Sequence, residues 1–258
     1  MLHEILPCGY RTTTGPEWVK AMIEQMLAAE VASHEVFEDP PGVVLLPEEE
    51  ALVRNSIDSR RREFTTGRHC ARNALARLGF PSDRPILSGE KGEPVWPDQV
   101  RGSITHCRGY RAAAVARAAG IASLGIDAEP NQQLPDGVLE AVALPREEIM
   151  TKELLRGFPG VYWDRMLFSA KESVYKTWFP LTHRSLEFDD ALIEIDPVNG
   201  TFSARILPQG IRDIHNAPRG FAGRWIVGNG LVVTAIAVPA AADSLDRNRD
   251  SSRGVVTA

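Results

Sequence analysis

Apolar residues recur at helical spacing in a few long stretches and alternate in many short ones, which reads as a mixed α/β chain. The longest helical pattern covers residues 163–180, where Phe168, Val174, Tyr175 and Trp178 recur near the helical period and Asp164 is the expected cap. Residues 17–36 carry an apolar stripe of Val19, Ile23, Met26, Leu27 and Val31 and are expected to form a helix that ends at Asp39-Pro40-Pro41-Gly42. Pro47 followed by Glu48, Glu49 and Glu50 marks a helix start with acid in its first turn. A further helix follows Ser59 and ends at Gly79, and residues 138–158 hold helical segments broken at Pro145 and Pro159.

The short patterns predict strands over 102–107, 111–118, 122–129, 191–195, 201–207, 224–227 and 231–238. The turn Gly228-Asn229-Gly230 between the last two is a hairpin signal. Residues 1–15 read as a loose lead-in, and beyond Pro239 the chain turns polar and is expected to be a disordered tail. Each half runs helices into a small set of strands, which allows two similar α/β lobes with a cleft between them.

Composition narrows the function classes. A net charge of −5 gives no global attraction to nucleic acid or to an anionic membrane. The apolar runs are too short to span a bilayer, and the first residues lack the basic segment and apolar core of a secretory signal. Three cysteines, an odd count, favour reduced thiols in a cytoplasm. His69-Cys70 and His106-Cys107 raise a zinc reading, but no C-x-x-C element supports it against ordinary buried thiols.

Local chemistry is concentrated in two motifs. In Gly125-Ile126-Asp127-Ala128-Glu129 the two acids are two apart, on one side of a strand. In Lys171-Glu172-Ser173-Val174-Tyr175-Lys176 the acid and the second lysine are four apart, on one face of a helix. If strand and helix meet, Asp127, Glu129 and Glu172 surround one divalent cation with Lys171 and Lys176 beside it. Three carboxylates suit Mg²⁺, which fills its shell with water and substrate phosphate. Five arginines between positions 60 and 72, with Lys91 in Gly89-Glu90-Lys91-Gly92-Glu93-Pro94, read either as a solvated helix face or as donors to several phosphates.

These motifs, in this order, resemble the signature of the Sfp-type 4′-phosphopantetheinyl transferases, in the bacterial branch that activates carrier proteins. The resemblance takes in 63–72 (E-F-T-T-G-R-H-C-A-R), 91–94 (K-G-E-P), 102–107 (G-S-I-T-H-C), the G-x-D-x-E acids and the helix from Trp163. It implies two α/β lobes, residues 22–121 and 122–239, related by a pseudo-twofold with the active site between them. It also implies a monomer that moves the 4′-phosphopantetheine arm of coenzyme A onto a serine of an acyl or peptidyl carrier protein, releasing adenosine 3′,5′-bisphosphate. By resemblance Asp127, Glu129 and Glu172 hold Mg²⁺ (or Mn²⁺), and Glu172 is the candidate base, directly or through a metal-bound water. Lys171 and Lys176 would lie near the pyrophosphate, Arg60, Arg68 and Lys91 at the nucleotide phosphates, and His106 with Thr105 beside the 3′-phosphate. Helix geometry would favour Arg61 over Arg60 if the helix already includes residue 60. Residues 181–186 are a candidate contact for the carrier. A coenzyme A-binding sensor and a Mg²⁺-dependent phosphohydrolase remain as competing readings.

Overall fold

The computed structural model describes residues 21–212 and 214–241. The lead-in before residue 21 and the expected tail beyond 241 lie outside them. Within them the chain forms β1 (Val31–Val36), α1 (Pro47–Leu52), α2 (Asp58–Arg77), β2 (Val100–Cys107), β3 (Tyr110–Arg117) and β4 (Ile121–Pro130). There follow α3 (Val138–Val142), α4 (Pro145–Gly157), α5 (Trp163–Thr182), β5 (Ala191–Asp196), β6 (Thr201–Ile206), β7 (Gly220–Gly228) and β8 (Leu231–Pro239).

The strands make two antiparallel sheets, one of three strands in the order β1-β3-β2 and one of five in the order β4-β8-β7-β6-β5. Each carries one 20-residue helix, α2 on the first and α5 on the second. Cys70, Ala71, Ala74 and Leu75 of α2 pack on Val100, Ala113 and Val115. The opposite face of that sheet, with Tyr110, Ala112, Ala114 and Ala116, packs on Leu124, Ile126, Ala128, Val233 and Ala235 of the second sheet. The far face of the second sheet meets Trp163, Met166, Leu167, Ala170, Val174 and Trp178 of α5. The layers therefore run helix, sheet, sheet, helix, an α/β architecture of two lobes.

One predicted helix is a strand. Residues 17–36 were expected to be helical from their stripe, but of the described part only Ile23–Gln25 form a single 3-10 turn and Val31–Val36 pair with β3. The Ala-rich β3 lies between two neighbours, and it is the β1 partnership, not local periodicity, that decides the segment. Glu35 of β1 then ties the turn down, accepting from the backbone N–H of Met22 (2.8 Å) and Ile23 (3.0 Å) and from the Tyr110 hydroxyl (2.6 Å). Asp164 is likewise not the cap of α5. That position is Tyr162, and Asp164 accepts from Leu134 N (2.9 Å) and Arg165 N (2.8 Å), tying the preceding loop to the first turn. The hairpin at Asn229-Gly230 has both residues at positive φ, 51° and 73°, as its sequence requires.

The two lobes meet along β2 and β4. No ladder joins these strands; the Ser103 hydroxyl accepts from Ile126 N (3.1 Å) and the Thr105 hydroxyl from Ala128 N (2.9 Å). Side-chain oxygens thus satisfy backbone donors that would otherwise be buried unpaired.

Candidate active site

Along β4 the alternate residues Ser123, Gly125, Asp127 and Glu129 all face α5. Ser123 donates to the Thr177 carbonyl (2.8 Å), Lys176 bonds Asp127 (2.7 Å), and Arg165 bonds Glu129 (3.0 Å). Between them Gly125 lies under the helix, where any side chain would collide with the Ser173 carbonyl and the Thr177 hydroxyl and come within 2.9 Å of Thr177 N. The glycine of G-x-D-x-E therefore permits the close approach that carries Lys176 to Asp127.

Beside this seam a cleft of about 710 Å³ opens between the lobes. From α5 it is lined by Glu172, Tyr175, Lys176 and Phe179, which follow the i, i+3, i+4, i+7 spacing of one helix face. From the first lobe it is lined by Arg60, Glu63, Phe64, Gly67 and Arg68 of α2, by Lys91 in its turn, and by Thr105 and His106 of β2.

The acids lie in a row rather than closing on one point. Asp127 is 4% exposed, one oxygen bonded to Lys176 and to the Thr105 hydroxyl (3.3 Å), while Oδ2 is buried without a hydrogen-bond partner. Glu129 is pushed up to about 7 by burial and by the negative charge of Asp127, against the opposing pull of Arg165. Glu172 is also raised, by burial first and then by Asp127, with Lys176 opposing. Among the described residues no three His, Cys, Asp or Glu side chains stand close enough to hold a metal ion as they are. The donor set nonetheless fits a hard divalent cation: Glu129 and Glu172 have raised pKa values, and Asp127 has an orphaned buried oxygen.

His106 sits between Arg60 and Glu63, with Nε2 2.8 Å from Arg60 Nη1 and Nδ1 3.5 Å from Glu63. Burial lowers its pKa, Glu63 opposes this, and Arg60, Lys176 and Arg111 add to it. Helix α2 does include residue 60, yet Arg60 and not Arg61 reaches the cleft. Arg61 instead pairs with Glu50, and Arg72 with Glu49 (2.7 Å), so the acids of α1 draw that stripe of α2 away. Arg68 is 5% exposed and donates to the carbonyls of Ile86 (2.7 Å) and Leu87 (3.4 Å) and to the Ser88 hydroxyl (3.1 Å). Burial lowers its pKa to about 10. It shapes the wall below the Lys91 turn, which is set by Gly92 at φ 83°.

Two expected contacts change role. Lys171 does not face the cleft: it lies about 100° round the helix from Glu172 and points into the second lobe. There it pairs with Glu147 (2.8 Å) and donates to the carbonyls of Phe188 (2.6 Å) and Ala191 (2.9 Å); burial lowers its pKa, with Glu147 opposing. The Thr105 hydroxyl is committed to Asp127 and Ala128 and positions the acid. Of residues 181–186, Leu186 is buried and Leu181 packs on the second-lobe core. Cys70 and Cys107 are free, buried thiols pushed up to about 12, by burial first. Sequence reasoning missed Glu63 and Arg165. Glu63 stood inside a quoted motif and one helical turn from Arg60, while nothing in the sequence linked Arg165 to Glu129 across 36 positions.

A family model for the 4′-phosphopantetheinyl transferase N-terminal domain matches residues 48–116, and one for the 4′-phosphopantetheinyl transferase superfamily matches 123–227. The chain is 50% identical over 240 residues to the 4′-phosphopantetheinyl transferase Svp of Streptomyces mobaraensis, covering 92% of this chain and 97% of that protein. It is 48% identical over 223 residues to PptT of Mycobacterium tuberculosis (84% and 96% covered) and 46% over 226 to Npt of Nocardia iowensis (84% and 99%), both named 4′-phosphopantetheinyl transferases. With two lobes matched in order and relatives covered almost end to end, the chain belongs to the 4′-phosphopantetheinyl transferase superfamily and is a transferase.

Proposed function

We propose that this transferase moves the 4′-phosphopantetheine arm of coenzyme A onto a serine hydroxyl of an acyl or peptidyl carrier protein. Adenosine 3′,5′-bisphosphate is the second product, and Mg²⁺ (or Mn²⁺) is the cofactor. The observation that carries the reading is the pairing across one cleft of basic groups from the first lobe, Arg60, Lys91 and His106, with Glu172 and Lys176 from the second, and Asp127 buried behind Lys176. A dinucleotide-sized polyphosphate with one reactive phosphorus requires that division: cations to bind phosphate, acids to hold a metal and take a proton. The names of the relatives agree with the group transferred.

In this reading Arg60 and Lys91 neutralise the nucleotide phosphates and His106 lies beside the 3′-phosphate, with Arg68 holding the wall on which Lys91 is carried. Asp127, Glu129 and Glu172 would hold the cation, which would supply Lewis-acid chemistry toward the pyrophosphate. Glu172 accepts the proton of the attacking serine, directly or through water, and the burial that raises its pKa favours that acceptance. Lys176 supplies positive charge where negative charge grows on the leaving phosphate. Residues 22–121 and 122–239 are the two lobes, and the enzyme works as a cytoplasmic monomer. No helix among the described residues is long and apolar enough to cross a membrane.

The test is intact-mass spectrometry of an apo carrier protein incubated with this protein, coenzyme A and Mg²⁺. A gain of one phosphopantetheine that EDTA abolishes is the expected result. No gain on any of several carriers, with coenzyme A still bound, would overturn the transfer reading.

A further inference from the structure

Arg165 stands in the first turn of α5, two residues after Trp163, and its side chain is only 10% exposed. An arginine so enclosed needs a partner for each part of its fork. It finds three: Nη1 donates to Glu129 Oε2 (3.0 Å), Nε to the Gln132 carbonyl (3.1 Å) and Nη2 to the Gln133 carbonyl (3.0 Å). The guanidinium is thereby fixed by the end of β4 and by the loop leaving it. Asp164, its neighbour, reinforces the same loop by accepting from Leu134 N (2.9 Å). Glu129 itself stands near the end of β4, where the strand gives way at Pro130. There the side chain would otherwise turn toward solvent, away from Asp127, whose charge repels it.

From this geometry we infer that Arg165 is a positioning residue for metal binding: it pins one oxygen of Glu129 so that the carboxylate stays on the α5 side of β4, in line with Asp127. The inference rests on the reading of Asp127, Glu129 and Glu172 as the cation ligands. It also makes a prediction of sign that simple electrostatics reverses. A guanidinium near a cation repels it, so if Arg165 acted only through its charge, removing it would tighten metal binding. If it acts by placing Glu129, removing it weakens metal binding, as the loss of partners that orient ligands typically does, by about 10- to 100-fold.

The experiment titrates Mn²⁺ into the protein with coenzyme A present and no carrier, so that nothing turns over, and follows free Mn²⁺ by electron paramagnetic resonance against a coenzyme A blank. Arg165→Met is expected to weaken Mn²⁺ binding by about 10-fold or more. Arg165→Lys restores a charge but cannot span Glu129 and two carbonyls, and it falls between Arg165→Met and the wild type. Unchanged or tighter binding in Arg165→Met, beside clear weakening in Asp127→Ala, overturns the role of Arg165 and leaves the metal reading standing. Equal binding by wild type and Asp127→Ala overturns the metal reading and this inference with it. Should Arg165→Met fail to fold, Arg165→Lys decides alone: weaker binding with the melting temperature kept supports positioning, and wild-type binding overturns it.

Discussion

Lys171 and Lys176 lie on the same helix, and each holds a carboxylate at nearly the same distance, 2.8 Å to Glu147 and 2.7 Å to Asp127. Five residues set them about 140° apart, so they leave opposite sides of α5. The pair on the lobe side is sealed, at 1% and 0% side-chain exposure; the pair on the cleft side is 27% and 6% exposed. An ammonium group has three donors. Those of Lys171 go to Glu147, Phe188 O and Ala191 O, whereas Lys176 spends two on Asp127 and Ile126 O (3.3 Å). The same kind of lysine–carboxylate pair is therefore a strut on one face and a reagent on the other. What separates them is saturation by neighbours.

The largest expected effect breaks the strut. Lys171→Met leaves Glu147, itself fully buried, without its cation and is expected to cost about 3–5 kcal/mol in urea denaturation. Because Glu147 also accepts from Leu144 N and Ile193 N at 2.7 Å, those bonds weaken as α4 loosens on β5. Transfer per folded molecule stays at the wild-type level. A variant with an unshifted midpoint and lost transfer would place Lys171 in the chemistry after all.

Next comes the cleft pair. Asp127→Ala is expected to lower the rate of carrier modification by about 10²- to 10³-fold, the range seen when one preorganised charge is removed from a transition state. Stability should hold or rise, since the substitution removes an unpartnered buried oxygen and relieves repulsion on Glu129 and Glu172. Full activity in this variant would remove Asp127 from the site.

Gly125→Ala tests what connects the two faces. A methyl group there strikes backbone of α5 at Ser173, which cannot move aside as a flexible side chain would. The expected cost is about 1–3 kcal/mol of stability. Unlike either of the first two variants it lowers stability and transfer together, because lifting α5 separates Lys176 from Asp127. Stability lost with transfer intact would mean that the helix shifts without disturbing the pair.

These distinctions mark how far the sequence could be read. Both long helices, β2 to β8 and the meeting of the Asp127 strand with the Glu172 helix follow from periodicity, turn residues and motif order, because such signals are local or repeated. Residues 21–36 misled because the stripe of Ile23, Met26, Leu27 and Val31 satisfies the helical period while β3 requires a neighbour. The adjacent Lys171 and Glu172 read as one motif, but neither residue type says which is enclosed. That depends on Glu147 arriving from α4, 24 positions earlier, and on carbonyls of Phe188 and Ala191 arriving later. Among the arginines of α2 the same holds: the acids of α1 select Arg61 and Arg72, Asp39 lies beside Arg62, and Arg60 and Arg68 face the cleft.

The smallest expected effect lies away from α5 and asks whether the acid sensitivity of the fold belongs to its charge pairs at all. In the first lobe His34 of β1 and His69 of α2 meet edge to face with ring centres 5.8 Å apart, and both have lowered pKa values. Burial is the first cause for each; Arg77 and His69 add to it for His34, and Arg72 for His69. A histidine with a lowered folded pKa binds fewer protons than the unfolded chain does, so its contribution is intact above about pH 6.5 and is lost as pH falls toward the folded value. Melting temperatures should therefore fall as the pH is lowered from about 7.5 to 5.5, by a small margin because both rings are partly exposed to solvent. The double variant His34→Gln/His69→Gln should flatten that slope. The two pairs on α5 are untouched by the substitutions, so an unaltered slope would shift the acid sensitivity to groups such as His106, whose pKa burial lowers, with Glu63 opposing and Arg60 adding to it at the cleft wall.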